Sequence, residues 1–161
     1  MVRGDGFLTF AGQQYRVALG ERGIVACKGE GDCGTPSGVL PLRRVLYRAD
    51  RQAPPASAVP IEPIAPDDGW CDDPGHADYN RMIRLPHAAH HEKLWHPDQV
   101  YDVIGVLGWN DAPVKRGQGS AIFLHVARDD FQPTAGCLAL SRTDLIAVLA
   151  HGLTAIEVRN D

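Results

Sequence analysis

Apolar residues along this chain fall in short runs punctuated by glycine, alternating with polar ones at Gln14 to Leu19 and nearly continuous further on, which is the mark of strands. The pattern predicts strands at Phe7 to Phe10, Gln14 to Leu19 and Gly23 to Cys27, with glycines between them, and suggests an antiparallel meander. A tight loop, "KGEGDCGTPSG" from Lys28 to Gly38, leads to a strand at Val39 to Tyr47. Further strands are predicted at Asn80 to Leu85, Val100 to Gly108 and Ala121 to Ala127, the last two buried. One helix signature is complete: Ser141 as cap, Asp144 three residues on, and Gly152 at the end. Thr154 to Val158 reads as a last strand. Strands and helices do not alternate, so the expected fold class is mainly β (α+β), a mixed sheet or sandwich with one main helix after Cys137.

Residues Ala49 to Pro74 contain six prolines and no clear period, and are expected to be irregular, a surface loop or a cover over a site. The length of 161 residues and 44% hydrophobic content suit one domain over residues 1–161. A net charge of -4 without a basic tract argues against nucleic acid as partner. No apolar run approaches the roughly 20 residues of a membrane span, and the first twenty residues lack a secretory core, so a soluble chain with no visible export address is expected. The four cysteines lack C-x-x-C spacing and are expected to be reduced. The glycines of "GEGDCG" do not make a phosphate cradle, since no G-K-[ST] follows.

Chemistry concentrates in "AIFLHVARDDFQPTAGCLALS", Ala121 to Ser141. A thiol attacks a carbonyl as thiolate, which needs a nearby base or a lowered pKa. His125, at the end of a buried strand, is a base that the following connection can return to Cys137. The predicted helix start places helix dipoles close to Cys137, and Gly136 permits a sharp turn that uncovers backbone N–H groups for an oxyanion. Spacing alone leaves a second reading open, in which His125 is a satisfied core histidine and Cys137 a small buried hydrophobe.

The strand ending in histidine, the loop, and Thr134-Ala135-Gly136-Cys137 before a helix resemble the L,D-transpeptidase catalytic domain, the YkuD-type fold. The resemblance extends to Thr35, Pro36 and Gly38, which match a T-P-x-G segment, and to "WCDDPGHADYNRMIRL", "HEKLW", "YDVIGVLGWND" and "GSAIFLHVAR". It implies a cysteine enzyme acting on peptidoglycan stem peptides or fragments through a thioester, with no cofactor and no metal. By position, Cys137 is the implied nucleophile, His125 the base, and the Gly136 and Cys137 N–H groups the oxyanion donors. Apart from the resemblance, Thr134, Arg128, His91, Glu92 and Tyr79 are candidates to border the substrate. The family role implies the cell envelope; with no export signal visible, either the signal lies outside this sequence or the substrate is an intracellular peptide or recycled wall fragment. The alternatives within reach are an L,D-carboxypeptidase or amidase on wall peptides and a wall-binding module without turnover. The usual S-H-G-C-[IV]-R is altered here, with Ala135 for the second histidine and Ala139 for the arginine that would anchor a carboxylate. Lys28, Arg84, Arg128 and Arg142 are candidate replacements.

Two other clusters call for a metal test. In "HAAHHEKLWH", His91, Glu92 and His96 miss H-E-x-x-H by one residue, while His87, His91 and Cys71 remain a possible zinc set. "WCDDPGHAD" lacks the calcium-loop register and reads as a surface turn.

Overall fold

The structure is a computed structural model that describes residues 1–160. Its strands are β1 (Val2–Arg3), β2 (Phe7–Phe10), β3 (Gln13–Ala18), β4 (Ile24–Val25), β5 (Thr35–Pro36), β6 (Gly38–Tyr47), β7 (Ile61–Pro63), β8 (Asp68–Cys71), β9 (Met82–Arg84), β10 (His91–Lys93), β11 (Val103–Leu107), β12 (Phe123–Val126), β13 (Leu138–Leu140) and β14 (Ala155–Val158). The helix α1 (Arg142–Ala150) lies between the last two.

Pairing runs β11-β12-β13-β3-β2-β1-β14-β6-β7, and β6 also pairs with β11, so the ladder closes on itself as a barrel-like sandwich. Two strands make the closure. Residues 13–16 of β3 pair with β2 while Val17 and Ala18 pair with β13. Residues 38–41 of β6 pair with β14, and its later residues pair with β11 across a register shift at Val106/Leu107. A shift of this kind bends a strand and increases its twist. Parallel pairs (β12–β13, β6–β7, β1–β14) stand among antiparallel ones, so the sheet is mixed, as expected.

The strands predicted from alternation are present within a few residues of their expected limits. Three readings need correction. The strand at Ile24 does not continue the meander: β4 pairs with β5 alone, and the outer neighbour of β3 is β13. The proline-rich segment holds β7 and the fully buried β8, and the histidine-rich stretch supplies β10; β8, β9 and β10 form a separate three-stranded sheet. Third, residues 138–140 after Cys137 are strand, so β13 separates the cysteine from the helix.

Ser141 caps α1 by accepting the Asp144 N–H, and the helix buries Leu145, Val148 and Leu149 at i, i+3, i+4 spacing against β12 and β13. These join the main core with Leu8, Val17, Leu40, Leu124 and Leu138. A second apolar cluster contains Trp70, Tyr101, Ile104, Phe123 and Cys137. Phe123 is fully buried, with Trp70 edge-on at 5.2 Å and Tyr101 at 6.1 Å. This cluster is the floor of the candidate site. Among the described residues no helix is long and apolar enough to cross a membrane.

Candidate active site

Three adjacent strands set out the chemistry. Parallel pairing of β12 with β13 puts His125 opposite Ala139 and Leu124 opposite Leu138, and β11 lies on the other side with Ile104 opposite His125. Cys137 therefore enters the ladder beside Phe123. The Phe123 N–H donates to Sγ at 3.4 Å, and the thiol donates to the Ala121 carbonyl at 3.2 Å. Ala121 holds φ 52°, a left-handed backbone uncommon for a residue with Cβ, of the kind that gathers at functional sites.

His125 and Cys137 line the same cavity of about 430 Å³. The His125 Nδ1 lies 3.0 Å from the Val126 carbonyl. A carbonyl only accepts, so Nδ1 carries the proton and Nε2 keeps its lone pair, the tautomer a base requires. Tyr101 packs edge-on to the imidazole with centroids 5.4 Å apart. Its hydroxyl donates to Glu92 Oε1 at 2.5 Å.

Burial governs the protonation states. It pushes the Cys137 thiol up to about 12, with Glu92 raising it further and the Phe123 N–H and Lys28 opposing. Burial also lowers His125 below the ordinary imidazole value, against the Val126 carbonyl, which raises it. The resting pair is thus neutral thiol and neutral imidazole, and no thiol–imidazole hydrogen bond is present among the described residues. The expected help from helix dipoles is overturned, because β13 intervenes and the thiol is shifted up. Glu92 is itself raised by burial, with the Tyr101 hydrogen bond opposing.

Of the residues singled out in sequence, Thr134, Arg128 and Glu92 line this cavity with the pair. Gly136, His91 and Tyr79 are not among its lining residues. The Gly136 N–H donates to Thr134 Oγ1 at 3.1 Å, and the Thr134 hydroxyl donates to the Cys137 carbonyl at 2.7 Å, so both residues shape the loop at the nucleophile. Gly136 has φ 134°, and a Cβ there would meet the Gly34 carbonyl oxygen at 2.9 Å; glycine is required twice over. Tyr79 is buried and its hydroxyl donates to Glu30, a cavity residue. β10 pairs His91 with the buried Cys71, but His91 Nδ1 is 2.8 Å from the Ala89 carbonyl and His87 lies against Asp78 and His76, so among the described residues the set His87, His91 and Cys71 is not assembled. The four cysteines are free.

The candidate replacement cations separate cleanly. Lys28 and Arg128 line the cavity. Arg142 is tied to Asp102 and Gln52, and Arg84 to Asp67 and Asp68. Lys28 is itself anchored on Asp32 at 2.5 Å and the Gly29 carbonyl. Sequence reasoning missed Tyr101, Glu30, Asp72 and Ser120 as cavity residues. All four lie in stretches singled out in the sequence, but no local motif says that they meet, because each arrives from a different segment.

A family model described as the L,D-transpeptidase catalytic domain, YkuD, matches residues 5–156. No curated protein and no solved structure gives a match.

Proposed function

The chain belongs to the L,D-transpeptidase catalytic-domain family, and from that premise we propose that it transfers peptidoglycan stem-peptide acyl groups through a thioester on Cys137. The observation that supports this reading is that one cavity is lined by both Cys137 and a His125 whose Nε2 is left unprotonated.

In the proposed sequence, His125 Nε2 takes the Cys137 proton as sulfur bonds to the carbonyl carbon on the L-side of the scissile amide. Charge then develops on the carbonyl oxygen. The Cys137 N–H, with the Gly136 N–H released from Thr134 Oγ1, is assigned to receive it. The tetrahedral species collapses, the C–N bond breaks, and imidazolium returns the proton to the departing D-amino acid amine. A thioester and a neutral imidazole remain. An acceptor amine then attacks the thioester, His125 removes its proton, and the C–S bond breaks to restore the thiol. Water in place of the amine gives the carboxypeptidase outcome.

Because both groups start neutral, no standing thiolate is needed; the proton moves as the carbonyl is attacked. Lys28 and Arg128 are assigned the anionic end of the substrate, in place of the arginine that Ala139 lacks. The test is incubation with a synthetic stem tetrapeptide, with and without an amine acceptor, read by product mass. Release of the terminal D-residue, with an acceptor-linked product only when amine is added, is expected. Intact substrate with the parent protein contradicts the assignment. A second reading, a wall-binding module without turnover, is favoured by the thiol held up to about 12; it predicts tetrapeptide binding with no product.

A further inference from the structure

Away from the cavity, the two connections of the small sheet meet. Residues 72–81 join β8 to β9 and residues 85–90 join β9 to β10, and together they bring His76, Asp78 and His87 into one cluster whose ligand atoms all lie within 4.8 Å of one another. Asp78 Oδ2 is 3.5 Å from His76 Nδ1 and 3.4 Å from His87 Nε2. These separations exceed the roughly 2.7–2.9 Å of a charge-assisted hydrogen bond. They match the edge of a tetrahedron, which for bonds of about 2.0–2.1 Å is about 3.3–3.4 Å. The two imidazoles stand edge-on, centroids 5.0 Å apart.

We propose that His76, Asp78 and His87 form a zinc-type metal site with an open fourth position. The two nitrogens and one carboxylate oxygen are the donor set that borderline divalent ions favour. The side chains are 35%, 42% and 21% exposed, which leaves room for a water or an outside group as fourth ligand. His76 Nδ1 accepts the Asp78 N–H at 3.2 Å, so its ring proton sits on Nε2; on metal capture this long hydrogen bond is given up and the Nδ1 lone pair turns to the metal. His87 Nδ1 accepts the Ala89 N–H at 3.2 Å. On metal capture the His87 proton moves from Nε2 to Nδ1, and that long hydrogen bond gives way to the metal bond.

The site has a structural consequence. Tyr79 and Asn80 follow directly on the same segment. Tyr79 holds Glu30 of the cavity, and Asn80 accepts the Trp70 indole and the Ala121 N–H while donating to the Trp109 and Asn110 carbonyls. A metal that ties His76 and Asp78 to His87 braces the segment that supports Ala121, whose carbonyl receives the Cys137 thiol.

Calorimetric titration of the chelator-treated full chain with Zn²⁺, and the visible absorption of a Co²⁺ form, test this. One equivalent is expected to bind, with the Co²⁺ bands of a four-coordinate site. Loss of a direct ligand in His76→Gln or His87→Gln is expected to weaken binding by more than about 100-fold, the upper end of what supporting residues cost. Cys137→Ser and Cys33→Ser are expected to leave it unchanged. Should one histidine variant fail to fold, the other and Asp78→Asn carry the same expectation. Absence of binding, binding that survives the histidine changes, or binding lost in Cys137→Ser overturns the proposal.

Discussion

At the residue scale the account rests on two neutral groups and the burial that keeps them so. His125 is depressed, so it stays unprotonated to lower pH than an ordinary imidazole. The acid limb of kcat/KM is therefore expected below the usual value of about 6.5. The same shift makes folding stability fall as pH drops below that unfolded value, because the unfolded chain binds the proton that the native one refuses. Cys137 is shifted the other way, and alkylation by iodoacetamide is expected to titrate far above the ordinary thiol. Glu92 raises this thiol, so Glu92→Gln is expected to lower its titration and speed alkylation at neutral pH. An unchanged profile would remove Glu92 from the electrostatics of the site. Gly136→Ala meets both a left-handed φ and the Gly34 carbonyl, and is expected to cost about 1–3 kcal/mol of stability, read by denaturant titration, and to misplace the thiol.

At the scale of elements, the helix is fixed by its first turn. Ser141→Ala is expected to cost about 1 kcal/mol, measured as a shifted denaturant midpoint at constant slope. Arg142 at the helix start is held by Asp102, which is buried and also receives Arg51 at 2.6 Å. Asp102→Ala removes a buried carboxylate shared by two partly exposed guanidinium groups, which keep Gln52 and the Pro97 and Asp98 carbonyls, and is expected to cost about 1–3 kcal/mol. That helix was legible in the sequence because cap, acidic third residue and closing glycine are local signals. The long strands were legible for the same reason: in β6, Leu40, Leu42, Val45 and Leu46 carry the burial that the pattern announces. The short strands were not. Asp68 and Gly69 of β8 are poor strand formers, and they are extended because β9 and β10 pair on either side of them. β13 is only three residues long and merges with the helix signal in any window, which is why the dipole argument for Cys137 failed. The candidate pair was visible as residue types, whereas its surroundings were not. Tyr101, Glu92 and Lys28 meet only once the sheet has closed.

For the whole molecule, closure of the ladder through β6 and β11 determines where chemistry can occur. β6, β11 and β12 bury one face on the main core and the other on the cluster of Trp70, Phe123 and Tyr101, so the cavity is roofed by loops and floored by a rigid sheet. Phe123→Ala opens that floor; a loss of about 3–5 kcal/mol is expected, seen in thermal or denaturant unfolding. The central claim is that sulfur and imidazole in this cavity act together on an acyl group. It is tested most directly by exposing the full chain to a carbapenem and reading intact mass over time. A single covalent adduct is expected, absent in Cys137→Ala and formed far more slowly in His125→Ala. An adduct that persists without Cys137, or none on the parent chain, would contradict the account.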